Sequence, residues 1–342
     1  MRTETVEVSE HIINTYMPYA MTTIIDRALP DIRDGLKPIH RRILYAMYNA
    51  NLLHDKERAK STEPIAETMK IHHHGDTSVY DALALMTEQN ESLLHPFIDG
   101  EGAFGKVYSK DSPSASRYTF CRLNKFGEEF FKDINKDVIK FIGEENHKQP
   151  EILLPSYPSI LVKNNKGIAV GEACDFPSFN LQEVCDTTIA YIKNKDIDIL
   201  DYLLSPDFST GGYLIYDKKA LTEIYETGKG SIRLRAKYKY DKENKCIDIY
   251  EIPYTTTVDA IVDKITKLMK NNNYKEILDI RDETGFNKNI GKEEMKITID
   301  VRKNCNVELL MQKLFKDSPL ESVYSVNMNC LVDYKPKVMG IK

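Results

Sequence analysis

The chain has 342 residues, 42% hydrophobic and 29% charged, a balance that excludes wholesale disorder and suits two domains. No apolar run reaches the ~18 residues of a membrane helix, and the opening MRTETVEVSEH lacks a secretory signal pattern. Six cysteines without a CxxC pair speak against a zinc ribbon or disulfide framework and for a reduced, cytoplasmic setting, while a net charge of -5 excludes nucleic acid only if the cations are scattered.

Taken in order, residues 9–29 predict a helix capped by Ser9, with Ile12, Ile13, Tyr16, Met17, Ala20, Ile24 and Ile25 at helical spacing. Pro30 ends it, and PDIRDGLKP follows as a turn-rich connection. A second helix is expected over 39–49. A third, capped by Ser61 or Thr62, runs to Met69, and a fourth opens at Thr77 or Ser78. Short helices separated by tight turns fit a helix-turn-helix, or a generic small bundle. Residues 95–119, rich in Gly, Ser and Pro, read as a loop-dominated wing rather than a helix or a strand pair. Near residue 150 the character changes. PEILLPSYPSILVKNNKGIAVG is Pro-rich and extended, SIRLRAKYKY and KCIDIYEIPY read as two strands joined by a polar turn, and VDAIVDKITKLMKN is an amphipathic helix. MKITIDVRK predicts a strand and VELLMQKLFKD a helix. The second half is therefore α+β.

Three motifs look like chemistry and are weak. Gly100-Glu-Gly102-Ala-Phe-Gly105 matches GxGxxG, but a dinucleotide site needs a strand before it and a helix opening after it. HPFID precedes it and a Pro- and Ser-containing stretch follows, so the glycines belong to a tight loop. Asp196 and Asp198 could share a hard cation, yet a Lys/Asn/Asp-rich surrounding fits a solvated turn better. His72, His73 and His74 could bind zinc, but adjacent side chains diverge, and imidazoles facing an anion are more economical. The basic cluster is the better lead. Arg27, Arg33, Lys37, His40, Arg41 and Arg42 fall close together, joined later by Arg117 and Arg122, and an arginine fork suits phosphate.

The stretch YAMTTIIDRALPDIRDGLKPIHRRILYAM resembles the opening of the breakage-reunion component of bacterial type IIA topoisomerases, the gyrase A and topoisomerase IV A subunits. HHHGDTSVYDAL, DGEGAFG, SASRYTFCRL, LLPSYPSILVKNNKGIAVG, TGKGSIRLRA and EIPY resemble further blocks in the same order. Any one block is weak, whereas the ordered set is specific. The resemblance implies a winged-helix domain over 1–150 that carries the active-site tyrosine, then an α+β tower domain over 151–342. It picks Tyr118, preceded by Arg117, out of 20 tyrosines. A phenol with an ordinary pKa of ~10 needs proton removal or nearby positive charge to attack a phosphodiester. Arg117 can stabilise charge developing on the phosphate oxygens.

The same resemblance makes Arg27, Arg42, His72 and His74 phosphate-binding groups, the anion favouring protonated histidines, and Lys37 and His40 of the basic cluster are expected to bind DNA with them. It makes the helix with Thr77, Tyr80 and Asp81 a DNA-contacting one, and Thr77 and Asp81 the positions where quinolone drugs anchor. Ile168 becomes an apolar wedge between base pairs. Cleavage of one duplex and passage of another are implied, with a transient 5′-phosphotyrosyl link. A B-type partner subunit would supply the ATPase and the Toprim domain that binds Mg2+. ATP and Mg2+ are thus cofactors of the partner. The other expected partners are double-stranded DNA at the nucleoid and a second copy of this chain. The family's coiled-coil exit gate and DNA-wrapping domain find no counterpart, which suggests a fragment or a shortened relative. Two departures stand out: His73 replaces the proline of HPHGD, and the segment after GIAVG gains Glu172 and Asp175 while losing a histidine. A non-catalytic DNA-binding relative is the alternative reading.

Overall fold

The computed structural model describes residues 7–270, 274–287 and 292–342. It opens with one helical stretch built from Val8–His11, Ile12–Tyr16, Met17–Thr23 and Ile24–Ala28. The second and fourth pieces are wound wider, with π-type turns. Pro18 lacks an N–H and crowds the carbonyl four residues back, which fits a widened turn just ahead of it. Among the described side chains of this stretch Ala20, Ile24 and Ala28 are buried, and the apolar stripe at Ile12, Ile13, Tyr16 and Met17 lies exposed.

The buried side chains gather in three cores. In the first, helices α1 (Pro38–Asn49), α2 (Thr62–Met69) and α3 (Asp76–Leu85) pack with a three-stranded antiparallel sheet. Its strands are β1 (Ala59–Lys60), β2 (Ile98–Glu101) and β3 (Phe120–Leu123), with β3 in the middle. Ile43, Leu44, Met47, Val79, Leu83, Phe97 and Ile98 fill the core. Strand β2 corrects the reading of 95–119 as loop. It spans four residues, IDGE, whose partner Cys121 faces Gly100 from far along the chain, a pairing that no local pattern announces.

The second core lies under a five-stranded antiparallel sheet. In spatial order its strands are β4 (Asn165–Ile168), β5 (Ala173–Phe176), β12 (Glu321–Asn327), β7 (Lys229–Arg235) and β6 (Tyr213–Ile215). Helices α4 (Leu181–Lys193) and α5 (Lys218–Thr227) accompany it, each with a side-chain cap, from Asn180 and Asp217. Ile24 and Ala28 from the first helical stretch, and Leu29 just after it, are buried in this core. The third core joins strands β8 (Lys237–Asp241), β9 (Cys246–Glu251), β11 (Ile297–Val301) and β10 (Ile277–Asp282), in that order, to α6 (Val258–Lys270) and α7 (Val307–Asp317). Asn271, the last residue expected in α6, lies outside the described residues. The mixed helix-and-sheet content agrees with an α+β chain.

The run SIRLRAKYKY is not one strand. Residues up to Arg235 belong to the sheet of the second core and Lys237 onward to that of the third. Ala236, buried between them, donates its N–H to the Leu320 carbonyl at 2.8 Å. Within 159–168, the expected extended run contains one helical turn, Ser159–Val162, before β4. Among the described residues no helix is long and apolar enough to cross a membrane.

Candidate functional site

The basic cluster divides into structural and available cations. In the connection before α1, Gly35 has φ +64°, and a Cβ there would meet Ile160 Cα at 2.6 Å, so glycine is required. The preceding Asp34 is 0% exposed. Its carboxylate accepts from Arg41 Nε at 2.6 Å and Nη2 at 2.9 Å, and from the Leu36 and Leu153 N–H groups at 3.0 Å each. Arg33 is paired with Asp31 at 2.8 Å, and Arg122 with Asp99 at 2.8 Å. Three arginines of the lead cluster are therefore committed to holding loops.

Arg42 is differently placed. Its Nε donates to Gln149 Oε1 and its Nη1 to His72 Nδ1, both at 2.6 Å. The His72 and His74 rings meet edge to face, with centroids 4.5 Å apart. Exposed Arg27 is near enough to act on the His72 charge. Arginine cannot accept, so Nδ1 is the acceptor, and a neutral His72 carries its proton on Nε2. Burial first, then Arg42, pushes the His72 pKa down to about 4. The protonated imidazole expected beside an anion is thus not the form of the free protein, where His72 is a neutral donor. This carries a pH dependence. Between pH 6.5 and about 4 the unfolded chain binds a proton at His72 that the folded chain does not, so stability is lost as pH falls through that window. A melting temperature that stays flat from pH 6.5 to 4.5, or an NMR titration of His72 near its ordinary value, would contradict this.

Lys37 and His40 form a second group. Lys37 Nζ donates to the Lys166 carbonyl at 2.6 Å. His40 is buried, and among the described residues its Nδ1 has no partner; burial and the neighbouring Lys163 and Lys37 hold its pKa well below the usual range. Burial, with Lys37 nearby, pushes Lys163 down to about 7. The adjacent hairpin β4–β5 presents Ile168, 80% exposed, with Gly171 at φ +75° near its tip. Gly167 lies so close to the end of the first helical stretch that a Cβ would sit 2.1 Å from the Ala28 carbonyl oxygen. Val162 is buried and Ile160 partly so, which separates Ile168 from the core residues of its own run.

Tyr118 is 63% exposed in a short turn, Ser116–Tyr118, and the Arg117 guanidinium lies 4.7 Å from the centre of its ring. Thr77 and Asp81, both exposed on α3, share a cleft of about 480 Å³ with Ser114, Ala115 and Ser116. The structure thus brings Thr77 and Asp81 to the tyrosine segment, and Arg27, Arg42, His72 and His74 to each other. Among the described residues no hydrogen bond or ion pair joins Tyr118 to that second set. Tyr80, placed with Thr77 and Asp81 by sequence, is buried. Asp198 accepts from the Leu200 N–H in a capped turn, and among the described residues no three His, Cys, Asp or Glu side chains gather to hold a metal.

Sequence reasoning missed Gln149, Lys163 and the role of Asp34. The available signal was DIRDG itself, where two aspartates are interleaved with the arginines.

Residues 27–342 match the family described as the A subunit of DNA gyrase/topoisomerase IV. The chain is 37% identical over 350 residues to the DNA gyrase A subunit of Brachyspira hyodysenteriae, covering all of this chain and 41% of that protein. It is 37% identical over 344 residues to that of Staphylococcus epidermidis (98% and 38%), and 36% over 349 residues to that of Halalkalibacterium halodurans (100% and 41%). The chain belongs to the family of DNA gyrase/topoisomerase IV A subunits. It spans about two fifths of the length of these relatives.

Proposed function

We propose that this chain is the DNA-cleaving and religating part of a type IIA topoisomerase, an isomerase of DNA topology, with Tyr118 as nucleophile. The observation that carries the reading is the exposed Tyr118 ring under the Arg117 guanidinium, beside the cleft lined by Thr77 and Asp81. The Tyr118 oxygen forms a bond to phosphorus as the bond to the 3′ oxygen breaks. The 3′ end leaves as a hydroxyl, and the 5′ end stays on the tyrosine. Arg117 offsets the charge that builds on the phosphate oxygens. Attack by the 3′ hydroxyl on the phosphotyrosyl bond reverses the step without a nucleotide, since a phosphodiester-like bond is kept throughout.

On this reading residues 1–150 are a winged-helix domain and 151–342 a tower domain, working on DNA in the cytoplasm. Arg27, Lys37, Arg42, His72 and His74 take backbone phosphates, His72 as a neutral Nε2–H donor. His40 is too buried to take a phosphate itself. Thr77 and Asp81 face DNA and the quinolone site. A B-type subunit supplies Toprim-bound Mg2+ and ATP hydrolysis, while a second copy of this chain completes the gate. The reading is tested by mixing this chain with a B-type subunit, Mg2+ and supercoiled plasmid, then stopping with detergent. Linear DNA with protein on its 5′ ends is expected, and DNA left intact would overturn the reading.

Ile168 gives a separate check. An isoleucine in a packed core costs about 2–5 kcal/mol when cut to alanine, but one this exposed has little packing to lose. Ile168→Ala is expected to leave the melting temperature near wild type while bending a short duplex much less, read by end-to-end fluorescence transfer. Unchanged bending with a large drop in melting temperature would make Ile168 a core residue.

A further inference from the structure

Tyr80 sits on α3 between Thr77 and Asp81, yet its side chain turns inward, against Phe104 in the first core. Its hydroxyl meets two atoms of one short segment. It donates to the Ser114 carbonyl at 2.7 Å and lies 3.0 Å from Thr119 Oγ1. Ser114 and Thr119 bracket the turn that carries Arg117 and Tyr118. The far side of Thr119 is held as well. Its Oγ1 lies 2.8 Å from Ser61 Oγ, and its carbonyl accepts from the Ser61 N–H at 2.9 Å. The sequence predicts Ser61 as a cap for α2, but its hydroxyl makes no cap bond and faces Thr119 and Cys121 instead. Thr119 and Ser61 are both 0% exposed. Inside the bracket, the Tyr118 N–H donates to the Ala115 carbonyl at 2.8 Å, which closes the turn.

We infer that Tyr80 is a positioning residue for Tyr118: its single hydroxyl ties both ends of the 114–119 turn to α3 and so fixes the nucleophile relative to the helix that faces the cleft. The inference rests on the proposed role of Tyr118 for its catalytic consequence, but its structural half stands without it. A buried hydroxyl bonded at two points restrains a loop far more than a solvated one, because no water replaces it when it opens. Small displacements of a reacting group are costly: roughly 100-fold in rate for a shift of about 1 Å.

Tyr80→Phe keeps the ring and its packing against Phe104 and removes only the oxygen. In the chain assembled with Mg2+ and a B-type subunit, the rate of adduct formation at saturating short duplex is expected to fall roughly 10- to 100-fold. The duplex concentration for half-saturation should stay within about twofold, since α3 itself is intact. A merely destabilised protein would not show that split. In the free protein, trypsin should cut after exposed Arg117 about tenfold faster than in wild type, as expected when the hydroxyl that holds both ends of the loop is lost. Thr119→Val should have a smaller effect in the same direction, because Tyr80 keeps the Ser114 carbonyl. A trypsin rate equal to wild type would overturn the inference whatever the chemistry. Adduct formation at the wild-type rate by Tyr80→Phe, with none by Tyr118→Phe, would overturn it and leave the role of Tyr118 standing. Adducts from Tyr118→Phe would instead remove the reading on which the catalytic half rests.

Discussion

Tyr118→Phe is expected to abolish covalent attachment to DNA, a loss on the order of 10³-fold or more, while DNA affinity stays within a few-fold. The substitution deletes one oxygen. The ring remains under the Arg117 guanidinium, and a phenyl face attracts that cation as well as a phenol does. The side chain is largely exposed, so folding should change by no more than about 0.5 kcal/mol. The measurement is detergent trapping of protein on end-labelled duplex with Mg2+ and the B-type subunit present, next to a binding titration without trapping. Adducts from the variant at the wild-type level would send the nucleophile assignment to another residue. Loss of binding in proportion to loss of adduct would show that the phenol holds DNA instead of attacking it.

Asp34→Ala should be the most destabilising single change among the residues of the basic cluster and its partners. Asp34 is fully buried and accepts four hydrogen bonds, two of them from Arg41. Removing the carboxylate leaves the buried Arg41 guanidinium, among the described residues, with the Leu36 carbonyl at 3.2 Å as its one remaining acceptor, and strands the Leu36 and Leu153 N–H groups. Breaking one partner of a buried ion pair costs about 3–5 kcal/mol, because the remaining charge is uncompensated. For a chain of this size that lowers the melting temperature by roughly 4–7 °C. Arg33→Ala is the comparison, since its pair with Asp31 is partly exposed and worth about 0–1 kcal/mol. Equal shifts for the two variants would mean that the Asp34 network is no more than a surface contact.

How much of this was legible in the sequence depends on whether the deciding partner was local. Helix α7 has the bounds its period announces, because Leu310, Met311 and Leu314 form a buried face within one short segment. The helices of the first core were readable for the same reason. Strand β2 was not, since IDGE gains its pairing only from β3. Neither was the break at Ala236, because a continuous β-type run can serve two sheets without any change in pattern. The charges follow the same rule. Arg41 and Arg42 are neighbours in sequence, but one is buried against Asp34 and the other faces Gln149 and His72, which come from distant segments. Sequence groups Tyr80 with Thr77 and Asp81, the residues of its helix expected to face DNA, although its hydroxyl points the other way. The choice of Tyr118 came from the ordered resemblance. Its exposure and its contact with Arg117 came from the fold.

The role of Tyr118 is decided by the site at which DNA becomes attached. The chain is assembled with a B-type subunit, Mg2+ and a short duplex, trapped with detergent, digested with nuclease and protease, and its peptides are mapped by mass spectrometry. A nucleotide linked through its 5′ phosphate to Tyr118, and to no other residue of this chain, is expected. A nucleotide on any other side chain, or a 3′ linkage at Tyr118, would contradict it.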